Sequence, residues 1–419
     1  MHVRSRVRCD SVAVVVPSTH LPVGLIIRSA DDADWPAMAR LAAACFGFFR
    51  SPEANDMWRT MVAADGAVVV CDGPEIVGMS LYLDLRLTVP GGVVLPAAGV
   101  SWVAVAPTHR RRGLLREMFE ELHRRMVDAR YPVAALLASE GGIYRRFGYG
   151  PATIEQRLRV ERRWAQVHPD VPDPGGVRVV SPSQYRAELV DIYDRWRRRT
   201  PGGLHSPAAL WDEVLADRET ARHGGSPFFA LLHADGFAMY RVHGDAASKS
   251  VEVTKLTAVT AAAHIALWRV LLGLDLMDTI TVDTHPADPL PYLLTDARRV
   301  QTTSSEDALW LRIIDIPATL QARRYQADLS AVLQISDDAL GGGGTFTLTI
   351  HNGKARVAPT NDTPDLHTDL SVLGSIYMGA HRASAFATAN RLRCNDNYLL
   401  RQLDVAFATE VSAELGYGF

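Results

Sequence analysis

Apolar and polar positions change rhythm several times along the chain, and each rhythm predicts an element. Leu25-Ile26-Ile27-Arg28 reads as a short strand. From Ser29 to Phe46 apolar residues recur at helical spacing behind an acidic run, which predicts a helix with Ser29 or Asp31 as its cap. Between Trp58 and Val89 two strands are expected, turned at Asp72-Gly73-Pro74-Glu75. Residues 93–107 read as a further strand, ended by Pro107. Leu114, Leu115, Met118, Phe119, Leu122 and Met126 keep three-to-four spacing, so an amphipathic helix is expected over 110–129. Residues 132–139 run almost wholly apolar, as a strand does when both its faces are covered.

The rhythm breaks at 168–176, a stretch of prolines and glycines, and a strand–helix–strand pattern restarts beyond it. Strands are expected in 177–180, 227–242 and 250–259, and a helix over 261–274. The pattern shifts once more across 310–325. After it, 345–359 reads as a hairpin and 370–391 as helical. The expected division is a disordered extension over 1–24, a first domain over 25–167, a second over 177–312 and a third, α+β domain over 313–419. The fold class is α/β with α+β character.

Composition narrows the function. Hydrophobic residues make up 47% and charged residues 22%, as in an ordinary globular protein. The net charge of −3 gives no basic field for nucleic acid. The four cysteines are scattered without ligand spacing, which argues against a zinc site or a disulfide framework and fits a reducing, cytoplasmic setting. No apolar run approaches the roughly 20 residues of a membrane span. The apolar run Val12–Val16 is too short for a signal-peptide core, so export would have to proceed without one. The fold is expected to begin near Leu25.

Chemistry concentrates at one strand-to-helix turn, Arg110-Arg111-Arg112-Gly113-Leu114-Leu115. A helix start leaves N–H groups unpaired and favours negative charge. Arginines there oppose the dipole unless an anion joins them, and Gly113 lets the backbone come close to that anion. A pyrophosphate is the natural occupant. Downstream, "GGIYRRFGYG" offers Tyr144 and Tyr149 as proton donors, and the residues alone do not choose between them. His109 and His123 read as surface helix residues rather than bases.

Arg110-x-x-Gly113 after a strand resembles the acetyl-CoA signature of the GNAT acyltransferases, with Leu115 where that signature has Gly or Ala. The wider text "VAVAPTHRRRGLL", "SEGGIYRRFGYGPAT", "DLRLTVPGG", "HPADPLPYLLTD" and "LGSIYMGAHRAS" is similar to the enhanced intracellular survival (Eis) acetyltransferases, over roughly residues 25–419. The resemblance implies tandem GNAT-like domains followed by a sterol-carrier-protein-like domain, in a homohexamer. It implies acetyl-CoA as donor and no metal. Val103, Ala104 and Val105 would pair with the pantetheine amides, the Val105 N–H acting as oxyanion donor. Arg110, Arg111, Arg112, Gly113, Leu114, Leu115 and Arg116 would hold the pyrophosphate, and Ser139 and Glu140 would line the cofactor.

The same resemblance selects Tyr144 as general acid and the α-carboxylate of Phe419 as general base. A terminal carboxylate starts near pKa 3.5 and is a weak base until burial raises it. The ending Tyr417-Gly418-Phe419 favours a docked tail over a frayed one. Phe46, Phe48, Trp58 and Trp102 would form an acceptor pocket for amines, by implication aminoglycosides acetylated at several positions. Phe48 and Gly418 stand where the family can carry acidic residues, which would weaken a polycation's hold. The alternatives are a protein lysine acetyltransferase and a lipid-binding protein acting through its C-terminal domain. The middle domain lacks the arginine–glycine turn and is expected to bind no CoA. Gly341–Gly344 reads as a hairpin turn rather than a phosphate loop.

Overall fold

The computed structural model describes residues 15–16, 21–47, 49–245, 248–337 and 339–419. These form two compact units. The first takes in the described residues up to Asp84 together with Ala98–Arg130, and the second takes in Leu85–Ala97 and Tyr131–Phe419.

In the first unit the strands β1 (Val15–Val16), β2 (Leu25–Ser29), β3 (Val62–Asp72), β4 (Glu75–Thr88) and β5 (Val94–Val105) lie side by side in chain order; β4 contributes residues up to Asp84 and β5 those from Ala98. β1 to β4 pair antiparallel, and the β3–β4 hairpin turns between Asp72 and Glu75 as its turn residues predict. β1 corrects the expectation of disorder over 1–24, since Val15–Val16 pair with Ile27 and Arg28; of that stretch, 1–14 and 17–20 fall outside the described residues.

Helix α1 (Trp35–Phe46) is capped by neither Ser29 nor Asp31. Asp34 takes the cap position, and its side chain makes no capping bond. Arg28 claims that carboxylate with two hydrogen bonds of 2.6 and 2.8 Å, and the Asp31 N–H donates to it as well. Helix α2 (Pro52–Met61) was not expected, although its signals were present. Ser51 Oγ accepts the Ala54 N–H, and Pro52 fills the first turn. Helix α3 spans Leu114–Asp128 rather than 110–129, and its buried Leu114, Met118, Phe119, Leu122 and Met126 form the expected apolar stripe against β3. Buried Arg125 ties its far end to the sheet, bonding Glu121 at 2.6 Å and Asp65 at 2.8 Å.

The second unit holds strands from all three expected domains. β6 (Val133–Leu137) pairs antiparallel with Leu309–Ile313, which takes Gly150–Pro151 on its other side. A seven-stranded sheet runs in the order 300–307, 154–160, 279–284, 249–258, 236–244, 229–233, 178–180. Ile154–Val160 precedes the 168–176 linker yet pairs with Thr279–Thr284 and Val300–Asp307, so that linker does not separate two sheets. A five-stranded sheet follows, in the order 354–359, 344–351, 329–336, 366–369, 393–394, with Gly341–Gly344 at its first hairpin. The loop after β4 also belongs here. Thr88 N–H donates to the Gly203 carbonyl and Gly202 N–H to the Thr88 carbonyl, each at 2.9 Å, and Arg324 N–H donates to the Pro90 carbonyl at 2.8 Å.

One buried ion pair pins Leu309–Ile313 to the C-terminal part. Arg312 and Asp337, 4% and 2% exposed, meet at 2.7 Å, and Arg312 also donates to the Phe147 carbonyl. Burial raises the Asp337 carboxyl pKa, but the Arg312 pair and the Gly342 and Leu340 amides outweigh it and hold it below the ordinary range. The stability from this group is therefore complete above the unfolded pKa of about 3.9 and is lost as pH falls through the lower folded value. Asp337→Asn should remove about 3–5 kcal/mol of stability by leaving a buried guanidinium uncompensated, read as a lower melting temperature at neutral pH.

Candidate active site

In the first unit β5 leads to the turn that carries the arginines. Trp102 sits in the left-handed region at φ +52, an irregularity inside a strand, just before Val103–Val105. Ala104 is buried, while Val103 and Val105 are half-buried. After the 3₁₀ turn Pro107–His109 the chain curls sharply. Arg111 has φ +62 and Gly113, the residue before α3, has φ +84. A non-glycine residue held at positive φ stores strain of about 1–3 kcal/mol, the kind found at ligand sites. Arg110, Arg111, Arg112 and Gly113 are exposed, no side chain caps the helix, and nothing lies within 4 Å of where a Gly113 Cβ would be. Open backbone amides, three cations and free space fit the pyrophosphate of CoA. Leu114 is buried and Leu115 half-buried, so their contribution here is backbone. Arg116 is exposed and paired with Glu120 at 2.7 Å.

The two histidines differ from expectation. His123 is buried in α3, with Nδ1 2.6 Å from the Phe119 carbonyl, because it falls on the helix's packed face. His109 lies in the 3₁₀ turn rather than a helix, and Asp72 is its carboxylate partner at 3.2 Å.

The corresponding turn of the middle domain is closed. Thr260 caps the helix Ala261–Leu272, its hydroxyl accepting the Ala263 N–H. The amide that would meet a phosphate is already satisfied, and no arginine stands near it in sequence. Titration with acetyl-CoA should therefore give one cofactor per chain. A stoichiometry of two would contradict this.

The second unit carries the remaining residues. Ser139 and Glu140 are exposed just past β6, and the Ile143 N–H donates to the Glu140 carbonyl to start the short helix Gly141–Tyr144. Tyr144 is 6% exposed and Tyr149 fully buried. Burial pushes the Tyr144 hydroxyl pKa up, and a hydrogen bond with Ser139 draws it partly back. Burial pushes Tyr149 far higher.

The C-terminal tail is docked. Glu414 N–H donates to Pro201 at 2.8 Å, Gly416 N–H to Gly202 at 3.1 Å, and Tyr417 Oη to His205 at 3.0 Å. Lys255 Nζ donates to the Gly416 carbonyl at 3.1 Å, lies 3.5 Å from Glu414 and rests 4.6 Å above the Trp196 ring. A Cβ on Gly416 would strike Tyr193 Oη at 2.5 Å, so only glycine lets the tail lie this close. Gly418 packs beside Leu137, the last residue of β6, and Phe419 is half-buried. A cavity of about 400 Å³ runs along the tail, lined by Trp211, Phe228, Glu155, Asp283, Tyr417 and Gly418. Glu414 lines it as well, and burial raises the pKa of Glu155 and of Asp283. Lys255, Tyr193 and Gly202 were not found from sequence, because their contacts with the tail span more than 150 residues.

Of the aromatic residues read as an acceptor pocket, Phe46 is exposed at the end of α1, Trp58 is half-buried in α2 and Trp102 is buried in β5. Phe48 lies outside the described residues. Among the described residues no group of histidine, cysteine or acidic side chains could hold a metal, and no helix is long and apolar enough to cross a membrane.

Comparison with known proteins agrees with this anatomy. Residues 26–152 and 202–313 each match the family described as an acetyltransferase (GNAT) domain, and 316–413 match the sterol carrier protein domain. The chain is 55% identical over 397 residues to N-acetyltransferase Eis of Mycobacterium tuberculosis, covering 92% of this chain and 97% of the relative. The crystal structure of Eis1 from Mycobacterium abscessus superposes with a TM-score of 0.84 at 28% identity, covering 94% of this chain and 100% of that one. A GCN5-related N-acetyltransferase from Kribbella flavida, at 24% identity and a TM-score of 0.76, shares the fold. Two GNAT domains, a sterol-carrier-type domain and this near-complete relationship make the chain an acetyl-CoA-dependent N-acetyltransferase of the Eis family.

Proposed function

We propose that this enzyme transfers acetyl directly from acetyl-CoA to amino groups of aminoglycosides, at more than one position. Tyr144 acts as general acid and the Phe419 carboxylate as general base. The observation that carries this reading is the docked tail, which brings Gly418 against the end of β6, the strand that leads to Ser139, Glu140 and Tyr144. A chain end held by four hydrogen bonds and an ion pair is a built feature. The carboxylate deprotonates the incoming ammonium, directly or through a water. The neutral amine then attacks the thioester carbonyl, whose developing oxyanion meets the Val105 N–H. Collapse expels the CoA thiolate, which takes a proton from Tyr144, and the acetylated nitrogen gives up its second proton to restore the tyrosine, while the proton on the Phe419 carboxyl leaves to solvent. The raised pKa keeps that tyrosine protonated across the physiological range.

The cavity beside the tail supports a cationic acceptor, since Glu155 and Asp283 line it among aromatic rings. The C-terminal domain is read as structural. Arg323 is buried inside it, within 6 Å of the Tyr325, Tyr377 and Phe407 rings and bonded to the Tyr377 and Phe407 carbonyls, and a buried cation is an unfavourable neighbour for a lipid. The reading extends to a homohexamer in the cytoplasm, as the family resemblance implies; sedimentation should give six chains. Comparing kcat/KM on a four-amine aminoglycoside with that on a lysine peptide tests the acceptor class. The aminoglycoside should be preferred, and a reversed preference would make the chain a protein lysine acetyltransferase.

A further inference from the structure

In the second unit a cavity of about 560 Å³ is walled by four segments: the glycine loop after β4, the end of helix Arg186–Arg197, the chain around Arg324, and residues 409–411. Arg198, Arg199 and Arg324 line it against one carboxylate, Glu410. The arginines next in sequence each have an aspartate: Arg195 pairs with Asp235, Arg197 and Arg198 with Asp194. The side chains of Arg199 and Arg324 are exposed and make no hydrogen bond or ion pair with any described residue. A helix dipole favours cations at its C-terminal end, which accounts for Arg198 and Arg199. It does not account for a loop shaped to admit a third arginine from elsewhere in the chain. Gly91 has φ +94, and a Cβ there would lie 2.2 Å from the Arg324 Cγ and 2.6 Å from its Cβ, so the glycine makes room for that stem.

We propose that this cavity is an effector site for a compact oxyanion of phosphate type, held between Arg199 and Arg324, that steadies the seat of the C-terminal tail. Two unpaired guanidinium groups on one cavity repel each other, and an anion between them turns that repulsion into attraction. The planar fork of arginine fits phosphate oxygens with paired hydrogen bonds. The volume suits a small organic phosphate as well as the free ion. The link to the tail is structural. Pro201 lines the cavity, and its carbonyl accepts the Glu414 N–H at 2.8 Å; the next residue, Gly202, accepts the Gly416 N–H at 3.1 Å. Residues 409–411 form another wall, just upstream of the anchored tail. An anion that draws Arg199 and Arg324 together holds both sides of that anchor. Binding is independent of the catalytic assignments; any effect on turnover rests on the reading of Phe419 as base.

Calorimetry on the full chain, saturated with CoA so that the turn at 110–113 is filled, titrates inorganic phosphate and glycerol 3-phosphate in separate arms, with chloride matched in ionic strength. One site per chain is expected. Tighter binding of the ester identifies an organic phosphate as the ligand, and equal or weaker binding of it identifies the free ion. Arg199→Gln with Arg324→Gln should weaken binding at least about tenfold, the loss expected when charged hydrogen bonds are removed. Hydrogen exchange at residues 409–416 should slow with the anion in the wild type and not in the double variant. No binding beyond the chloride control would overturn the proposal. So would binding that survives the double substitution or leaves those amides unchanged, which would mark an adventitious ion only. A kcat that fails to rise when the tail amides gain protection counts against Phe419 as base and leaves the site standing.

Discussion

A chain extended by a few residues beyond Phe419, or amidated there, should lose kcat by about 10²–10⁴ while acetyl-CoA affinity and melting temperature stay nearly unchanged. That range is the usual cost of removing a general base. The tail is anchored upstream of its last residue, at Glu414, Gly416 and Tyr417, so an added segment moves the carboxylate without undoing the docking. Gly416→Ala should reach a similar loss by another route, since its Cβ would collide with Tyr193 Oη and Leu204 N and push the tail off its seat. Tyr144→Phe should also lower kcat by removing the proton donor. Combined with the extension it should cost less than the product of the two losses, because both act on one transfer. Full activity in an extended protein, shown by mass spectrometry to be unclipped, would remove Phe419 from the mechanism.

The second large effect concerns the arginine turn. Arg111→Glu or Gly113→Asp should weaken acetyl-CoA binding on the order of 10–100-fold, because each sets a carboxylate where a pyrophosphate is expected. Arg111→Gly is the useful control. Glycine adopts φ +62 without strain, so this variant keeps the curled backbone and loses only the guanidinium. Its affinity should fall less than that of the glutamate variant, and its stability should hold or rise. Isothermal calorimetry reads the affinities, and unchanged values in all three variants would exclude the cradle. Amine KM should move little, since the acceptor residues lie elsewhere in the chain.

Local elements were legible where the signal is local. The α3 stripe, the Asp72–Glu75 hairpin and the arginine–glycine turn each follow from side-chain spacing or backbone chemistry within a few residues. Helix α2 was missed although Ser51 and Pro52 announce it, because the apolar text that follows drew its residues into the strand reading. The α1 cap was misassigned because Asp34 serves Arg28, a partner on a different element. His123 was read as exposed because a polar residue on a helix face usually is, and only the packing shows that its ring lies in the core. Sheet membership was least legible. Nothing in Leu309–Ile313 says that it will pair with β6 rather than with its sequence neighbours, and nothing in Lys255 points to Gly416. Family resemblance supplied the roles of Tyr144 and Phe419, which spacing alone left open.

The most direct measurement is the mass of an aminoglycoside after incubation with the enzyme and excess acetyl-CoA. The account predicts products carrying two or more acetyl groups, appearing together with one free CoA for each acetyl group transferred and requiring an unblocked Phe419. A product stopping at one acetyl group, or an acceptor returned unchanged while a lysine peptide is acetylated, would contradict it.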